Sequence, residues 1–475
     1  MNKNNKFSKN TKLSFFSFFS FSASIIFTML LFSSFATSGF NAIFFLIIGA
    51  VFWFVPISFA SANMGSIKKW ENGGIFTWVK NSLGERIGFV ATFFQWFQST
   101  IVYTILFYFL TSGINYLFDT NVFSNNIYKF ILIVCIFLGM SLFQLFGIKI
   151  TTLLSKISLF SGVVIPSILL IVLSFSFVYG TNLHTIPPEL NENVIPKNNI
   201  GNIVIFSSFI LGYTGIEESA SNIGNLKNAK KNYPIIIVLV VTLIIIFNVL
   251  SSLSISLILP PSEISLSSSI FDTFHVIFSK WFGTQYIWIS KVIAFLIMFG
   301  VIGQISSIIS GPSKAISNSL SYLNAPSFLL KTNKNSVHYV ILFLQSIFMI
   351  GWLSIITFLS TGDNLAFTIC VSITSVIYLC AYLLMLIGYL KVTWQKEQLE
   401  STFFITNKYI KTIVAVSGIL TTIFAMVLVF FQPSGFLIND YIIYVSIISC
   451  SIVVILIAPF ILYSLISKYK LHISK

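Results

Sequence analysis

Long apolar stretches constrain the fold of this chain more than any other feature of its sequence. A window of about 20 residues, the length of helix that crosses a ~30 Å hydrocarbon core, finds about twelve such stretches. Their centres lie near Ile25, Val51, Ile105, Leu138, Pro166, Leu211, Ile245, Phe299, Ile347, Tyr378, Thr422 and Val453. Because 56% of the 475 residues are hydrophobic and only 8% are charged, no room remains for a soluble domain. The sequence predicts an all-α polytopic membrane protein.

The basic residues predict the orientation in the membrane. If the N-terminus is cytoplasmic, only four of the 27 Lys and Arg residues fall on the outer side, namely Lys129, Lys197, Lys280 and Lys291. Cytoplasmic segments of membrane proteins are enriched in Lys and Arg, so both termini are expected in the cytoplasm. The formal net charge of +14 thus indicates orientation and gives no reason to expect nucleic acid binding.

The apolar stretches also divide the chain. We expect a cytoplasmic tail at 1–12, a single transmembrane domain at 13–466 and a short cytoplasmic C-terminus at 467–475. Within the domain, spans 1–5 cover about 13–178, spans 6–10 about 200–390 and spans 11–12 about 410–466.

The sixth span has the most unusual sequence. Residues 209–234 read FILGYTGIEESASNIGNLKNAKKNYP, and Gly212 and Gly215 predict a break in the helix because glycine destabilises helix interiors. Glu217 lies ten residues before Lys227, about 15 Å along a helix and therefore near the middle of the bilayer. A carboxyl group at that depth indicates a functional site; the alternative role is to cap backbone groups that the break leaves free.

The first span predicts a second break. Residues 13–35 contain no glycine, but Ser22, Ser24 and Thr28 interrupt the apolar run. Hydroxyl groups of this kind bend helices by bonding to the preceding turn, and the stronger interpretation is a discontinuous helix. In transporters built from inverted repeats, two broken helices present free N–H and C=O groups to a substrate carboxylate and ammonium. We therefore expect Ser22, Ala23, Ser24 and Thr28 to contact a substrate.

Other polar side chains lie at mid-depth. Gln95 and Gln98 are three residues apart in span 3, so they share a helix face and are expected to hydrogen-bond within the bundle. Gln304 in span 8 either lines a cavity or joins helices. Tyr378 and Tyr382 lie one turn apart in span 10, where they face a polar ligand or bond to the backbone.

An enzyme or a channel has less support than a carrier. The histidines lack the spacing of a metal site, and no pair of nucleophile and base stands out among the other residues. The charged or carbonyl-rich rings of a channel pore are also missing from the sequence. We expect a carrier that is not an enzyme and that uses no cofactor and no metal.

Several segments resemble a known family. They are FATSGF at 35–40, WENGGIFTWVKNSLG at 70–84, GIEESAS at 215–221, KNAKKNYP at 227–234, GPS at 311–313, VIYLCAYLLMLIGY at 376–389 and PFILY at 459–463. Together they resemble the amino acid, polyamine and organocation transporter superfamily, and within it the bacterial glutamate:GABA antiporters. The resemblance implies a five-plus-five inverted repeat with helices 1 and 6 unwound at the substrate site, followed by two extra helices. It also implies a multi-pass protein of a bacterial inner or plasma membrane.

The resemblance assigns roles by motif position. Glu217 matches the acid of helix 6, Leu211 the position that senses the substrate side chain, and Tyr378 and Tyr382 the tyrosines of helix 10. The remaining residues of the predicted substrate site are Gly212, Tyr213, Gly215 and Gln304.

Glu218 stands where the family usually has a small residue. Because two like charges then lie next to each other, Glu217 and Glu218 are the candidates for proton coupling. Because adjacent positions of an α-helix point about 100° apart, we expect the two acids to face different walls.

The chain departs from the antiporters at three places. Leu30, Leu31 and Phe32 stand where the antiporters tend to carry tyrosine and glutamate, Gln304 replaces an acid of helix 8, and Asn63 replaces an acid at the end of helix 2. The cavity lining is expected to be less acidic, which leaves a different pair of amino acids open.

The chain ends soon after Tyr463, without the tail that closes the inner mouth in relatives. We expect activity to persist at neutral pH, and transport that switches off between about pH 5.5 and 7 would contradict this.

The leading hypothesis is an amino acid antiporter that works by alternating access on glutamate and GABA. The alternative is a proton-coupled amino acid symporter with a different substrate. The expected partners are a small-molecule amino acid and the lipid bilayer, not nucleic acid, and the sequence leaves a homodimer open.

Overall fold

The computed structural model is almost entirely helical. It describes residues 12–70, 74–180, 194–196, 206–359, 363–395, 407–431 and 438–473. Within these ranges there are isolated bridges, such as the parallel one between Leu13 and Leu226, and no strand. The predicted all-α class is confirmed.

Fifteen α-helices form the described part of the chain. The first half contains α1 (Phe15–Ile26), α2 (Leu30–Ala36), α3 (Asn41–Gly65), α4 (Gly74–Leu83), α5 (Glu85–Phe118), α6 (Asn126–Phe143) and α7 (Ile148–Gly180). The second half contains α8 (Phe206–Leu211), α9 (Ala229–Ser256), α10 (Ser269–Ile277), α11 (Ile287–Tyr322), α12 (Tyr339–Leu359), α13 (Asp363–Thr393), α14 (Lys408–Leu428) and α15 (Ile438–Ile473). A 3₁₀-helix, Glu218–Asn225, follows α8.

Most of these helices are long and apolar enough to cross a membrane. Ten described helices meet this condition, and α1 with α2, bent by 46° at a short break, forms an eleventh candidate. The predicted sixth span consists of α8 and the 3₁₀-helix, and a turn at 212–217 separates the two. The fold is that of a polytopic membrane protein, whereas the count of about twelve spans and the inverted repeat remain predictions.

Burial separates central helices from peripheral ones. The apolar part of α13 is 89% buried, whereas those of α14 and α15 are 22% buried. A helix that exposes so much apolar surface has lipid as its natural surroundings. The core therefore lies around α13, and α14 and α15 lie at the edge.

The short helix α4 packs against the 3₁₀-helix. Its first residue, Gly74, has φ +51°, and a Cβ there would lie 3.0 Å from the backbone nitrogen of Ser221. At its other end the Lys80 ammonium lies 3.8 Å from the centroid of the Tyr322 ring. Helix α4 thus covers the 3₁₀-helix, which is the second half of the broken sixth span.

Candidate functional site

The first span is broken without a glycine. The N–H of Phe27 donates to the carbonyl of Ala23 at 2.8 Å, and Phe27 then takes ψ 102°, which ends α1. Helix α2 restarts at Leu30, whose N–H donates to Thr28 Oγ1 at 3.3 Å. The break exposes the Ile25 carbonyl to another helix, because this oxygen accepts from Gln304 Nε2 at 3.3 Å. The predicted discontinuity of this span is present.

The sixth span is broken at its glycines. Gly215 has φ +105°, and a Cβ there would lie 3.3 Å from Ile25 Cγ2, so this position needs glycine both for its conformation and for its space. The N–H of Gly215 donates to the Tyr382 hydroxyl at 2.7 Å. The Gly212 carbonyl accepts from Asn248 Nδ2 at 3.3 Å. The two breaks therefore pack against each other, and side chains of neighbouring helices satisfy their free backbone groups.

A cavity of about 60 Å³ lies between the two breaks and helices α5, α11 and α13. Its lining consists of Ile25, Ile26, Thr28, Leu30, Leu31, Gln98, Val102, Ile105, Leu106, Leu211, Thr214, Gly215, Glu218, Gln304, Ile308 and Tyr378. One water needs about 10–15 Å³ by this measure, so the cavity has room for a few waters, and the lining must move apart to admit a whole amino acid. Among the described lining residues Glu218 is the one ionisable acid and none is basic.

Three lining residues form a group that we call the cavity triad, Gln98, Glu218 and Tyr378. Glu218 Oε1 accepts from Gln98 Nε2 at 3.0 Å and from the Tyr378 hydroxyl at 2.6 Å. The other oxygen of the carboxyl group, Glu218 Oε2, is buried without a hydrogen-bond partner in the described structure, and so is Gln98 Oε1. Two buried acceptors of the cavity triad are thus unused.

Gln95, Glu217 and Tyr382 form a second group of the same composition, which we call the buried triad. Gln95 Nε2 donates to Glu217 Oε1 at 2.9 Å, and the Tyr382 hydroxyl donates to Glu217 Oε2 at 2.5 Å. Both carboxylate oxygens of Glu217 therefore have donors. None of these three residues lines the cavity.

The expectation that Glu217 and Glu218 face different walls is wrong. Each acid contacts one glutamine of α5 and one tyrosine of α13. The 100° rule applies to an α-helix, whereas here a turn ends at Glu217 and a 3₁₀-helix begins at Glu218. The irregular backbone turns both carboxyl groups toward the same two helices.

The structure brings together only part of the predicted site. The predicted residues that line the cavity are Thr28, Leu211, Gly215, Gln304 and Tyr378, together with the proton-coupling candidate Glu218. Those that lie outside it are Ser22, Ala23, Ser24, Gly212, Tyr213, Glu217 and Tyr382. All of them lie around the two breaks, and all except the half-buried Thr28 are buried, so the second set surrounds the first.

Several of the outer residues have contacts that explain their position. The hydroxyl groups of Ser24 and Ser307 share a hydrogen bond of 2.7 Å, which joins α1 to α11. The Tyr213 hydroxyl donates to the Leu46 carbonyl at 3.0 Å in α3, away from the cavity. Ser22 Oγ is buried and has no partner within the described residues.

Two polar lining residues, Gln98 and Thr214, were not predicted from the sequence. The spacing of Gln95 and Gln98 predicted a shared polar face, and both side chains do bond within the bundle. Which of the two borders a cavity depends on the partner helices, and no signal in the sequence distinguishes them. Gln304, for which two roles stood open, has both, because it lines the cavity and bonds to α1.

Comparison with known proteins assigns the class. The family model of the amino acid permeases matches residues 13–457, so the chain belongs to the amino acid permease family and is a membrane transporter. It is 38% identical over 459 residues to the glutamate/gamma-aminobutyrate antiporter of Lactococcus lactis subsp. lactis strain IL1403, a match that covers 96% of this chain and 91% of the relative. The protein of the same name from subsp. cremoris strain MG1363 has the same identity and coverage. An uncharacterized transporter of Legionella pneumophila is 26% identical over 403 residues, which cover 84% of this chain and 85% of the relative.

Proposed function

We propose that this protein is an amino acid antiporter that works by alternating access, with glutamate and GABA as the first pair of substrates to test. Membership of the amino acid permease family supports transport of an amino acid. Identity of 38% over 96% of the chain to two proteins named glutamate/gamma-aminobutyrate antiporters supports exchange and this pair.

One observation carries the proposal beyond the family, namely the two unused acceptors of the cavity triad. Glu218 Oε2 and Gln98 Oε1 are buried beside the cavity without partners in the described structure. A buried acceptor without a donor costs about 1–3 kcal/mol, so a ligand that donates to both gains this free energy on binding. An ammonium group has three N–H donors and a positive charge that matches the carboxylate. Glutamate and GABA both carry one.

The two triads then have different tasks. Glu218, Gln98 and Tyr378 contact the substrate, and Leu211 and Thr28 shape the cavity around it. Glu217 and Tyr382 hold the break in place, since Tyr382 bridges the carboxylate of Glu217 and the N–H of Gly215. Both acids remain candidates for proton coupling.

Counterflow into proteoliposomes tests the proposal. Vesicles that contain the purified protein are loaded with GABA, with another amino acid or with buffer, and uptake of labelled glutamate is measured at acidic and at neutral pH. Uptake that requires internal GABA establishes the antiporter. Uptake into empty vesicles that follows an imposed proton gradient assigns the alternative, a proton-coupled symporter. No glutamate uptake under any condition contradicts this substrate.

We also propose the inverted repeat, the domain bounds and the cytoplasmic location of both termini. The distribution of Lys and Arg along the sequence supports the orientation. A protease site inserted within 1–12 is expected to be cut in inverted membrane vesicles and protected in vesicles of native orientation. The opposite pattern contradicts the orientation.

A further inference from the structure

A second concave site lies on the surface and shares no lining residue with the cavity. It is a groove of about 390 Å³ between the first turn of α5 and the last turns of α15. The residues that line it are Arg86, Phe460, Ile461, Ser464, Leu465 and Lys468. None of them belongs to the substrate site proposed above.

Two cations, Arg86 and Lys468, line the groove. Arg86 is the only arginine of the chain, and its guanidinium lies 5.0 Å from the centroid of the Phe460 ring. In the part of the chain that the structure describes, no carboxylate lies within ion-pair distance of Arg86 or of Lys468. The neighbouring acid, Glu85, accepts a hydrogen bond from the Tyr463 hydroxyl at 3.1 Å. The groove therefore presents two positive charges without a described counterion.

Apart from Ser464, the rest of the groove is apolar, and its aliphatic side chains face outward. The side chains of Ile461 and Leu465 are 55% and 58% exposed. They belong to the apolar part of α15, which runs from Tyr444 to Tyr469. Because α5 begins at Glu85 and the apolar part of α15 ends at Tyr469, the groove lies where two membrane-spanning helices reach the membrane–water interface. By the distribution of basic residues this is the cytoplasmic interface.

We propose that this groove binds an anionic phospholipid. Its phosphate lies between Arg86 and Lys468, and an acyl chain lies along Ile461 and Leu465. A guanidinium matches the geometry of a phosphate with two parallel donors, and an ammonium adds a second charge. Basic pockets beside transmembrane helices on the cytoplasmic side are typical sites for anionic head groups. The exposed apolar stretch favours a lipid over a purely soluble anion, because a soluble anion leaves that surface unused.

Native mass spectrometry of the full chain in detergent tests this proposal. The purified protein is titrated with phosphatidylglycerol or with phosphatidylcholine of identical acyl chains, and bound lipids are counted. The wild type is expected to bind phosphatidylglycerol at least about tenfold more tightly. The R86Q/K468Q variant is expected to lose this preference. The R86K/K468R variant, which keeps both charges, is expected to retain most of it and shows that the site tolerates substitution.

The matched control is K331Q/K334Q. It removes two exposed lysines from the segment between α11 and α12, on the same predicted side of the membrane, and is expected to keep the preference for phosphatidylglycerol.

Equal binding of both lipids to the wild type overturns the proposal. So does an equal loss in R86Q/K468Q and K331Q/K334Q, which means that net charge alone is responsible. Displacement of phosphatidylglycerol by millimolar inorganic phosphate also overturns it, since the site then takes a free anion. The assay contains no transport step, so its result is independent of the proposed function.

Discussion

The cavity triad and the buried triad have the same composition and adjacent acids, yet their hydrogen bonding differs. In the buried triad, both carboxylate oxygens of Glu217 accept a hydrogen bond. In the cavity triad, one oxygen of Glu218 accepts two hydrogen bonds and the other accepts none from the described protein. The unused acceptors border the cavity between the two helix breaks.

This difference shows how two neighbouring side chains at a break in a membrane helix serve different purposes, one for the stability of the fold and the other for binding. A carboxylate whose two oxygens both accept hydrogen bonds holds its neighbours in place and has no free acceptor for a ligand. A carboxylate with one unpaired oxygen retains an acceptor where a ligand fits. Adjacent residues of one type therefore take different tasks, according to whether each side chain borders the cavity.

The largest expected effect is on transport by Glu218→Gln. The substitution keeps the shape of the side chain but replaces the charged acceptor at the cavity by an amide. We expect glutamate–GABA exchange to fall about 100-fold, which corresponds to about 2.7 kcal/mol. Glu217→Gln is the matched control and is expected to lower exchange less than about threefold per folded protein. Initial rates of counterflow measure both, and an equal loss in the two variants means that the triads do not have separate tasks.

A stability effect of comparable size is expected for Tyr382→Phe. The change removes the acceptor of the Gly215 N–H and a donor to Glu217, which leaves buried polar groups unpaired. A destabilisation of about 1–3 kcal/mol follows. Tyr378→Phe removes only one of two donors to Glu218 Oε1, so a smaller loss of stability is expected. Denaturant unfolding in detergent compares the two, and a larger loss for Tyr378→Phe contradicts the assignment.

A moderate effect on exchange is expected for Gln304→Leu. Its amide lines the cavity and donates to the Ile25 carbonyl at the break, so its loss changes the lining and frees a backbone acceptor. We expect about a fivefold rise in the KM for glutamate, or about 1 kcal/mol. Gln144→Leu serves as the control, because Gln144 is a buried amide that bonds to Ser306 away from the cavity. If both variants change the KM for glutamate by the same factor, the result contradicts a direct role of Gln304 in the substrate cavity.

The smallest effects are expected from the serines of α1. Ser24→Ala removes one hydrogen bond to Ser307, which still bonds to Ser155 and to the Gly303 carbonyl, so the cost is below about 1 kcal/mol. Ser22→Ala removes a hydroxyl without a described partner and is expected to be neutral. Exchange assays and unfolding together check both. If either variant loses more than about threefold in exchange rate, the substrate contacts α1 at residues before the break.

The sequence predicts the class of protein and the position of both breaks. The apolar stretches determine the membrane fold, and the φ of Gly215 shows why glycine marks the break in the sixth span. The first span breaks without glycine, since Phe27 changes backbone conformation and Thr28 accepts a hydrogen bond from the N–H of Leu30, where the next helix begins. Hydroxyl groups in an apolar run gave that signal.

The details of the site are beyond the sequence for a physical reason. The orientation of Glu217 and Glu218 follows from a turn joined to a 3₁₀-helix, and periodicity arguments assume a regular helix. In the same way, Gln98 borders the cavity and Gln95 does not because of how α5 packs against the breaks. Side-chain spacing gives the face of a helix, and only the packed structure gives the partner on that face.

Thermal unfolding with and without glutamate tests the central claim, the division of tasks between the triads, most directly. Ligand that binds only the folded state stabilises it by about 2.7 kcal/mol at 100 times Kd, so binding appears as a rise in Tm. We predict that Glu217→Gln lowers Tm without ligand but keeps the rise with glutamate, whereas Glu218→Gln keeps Tm and loses the rise. A full rise in Glu218→Gln together with no rise in Glu217→Gln contradicts the account, because the substrate is then held by the buried triad.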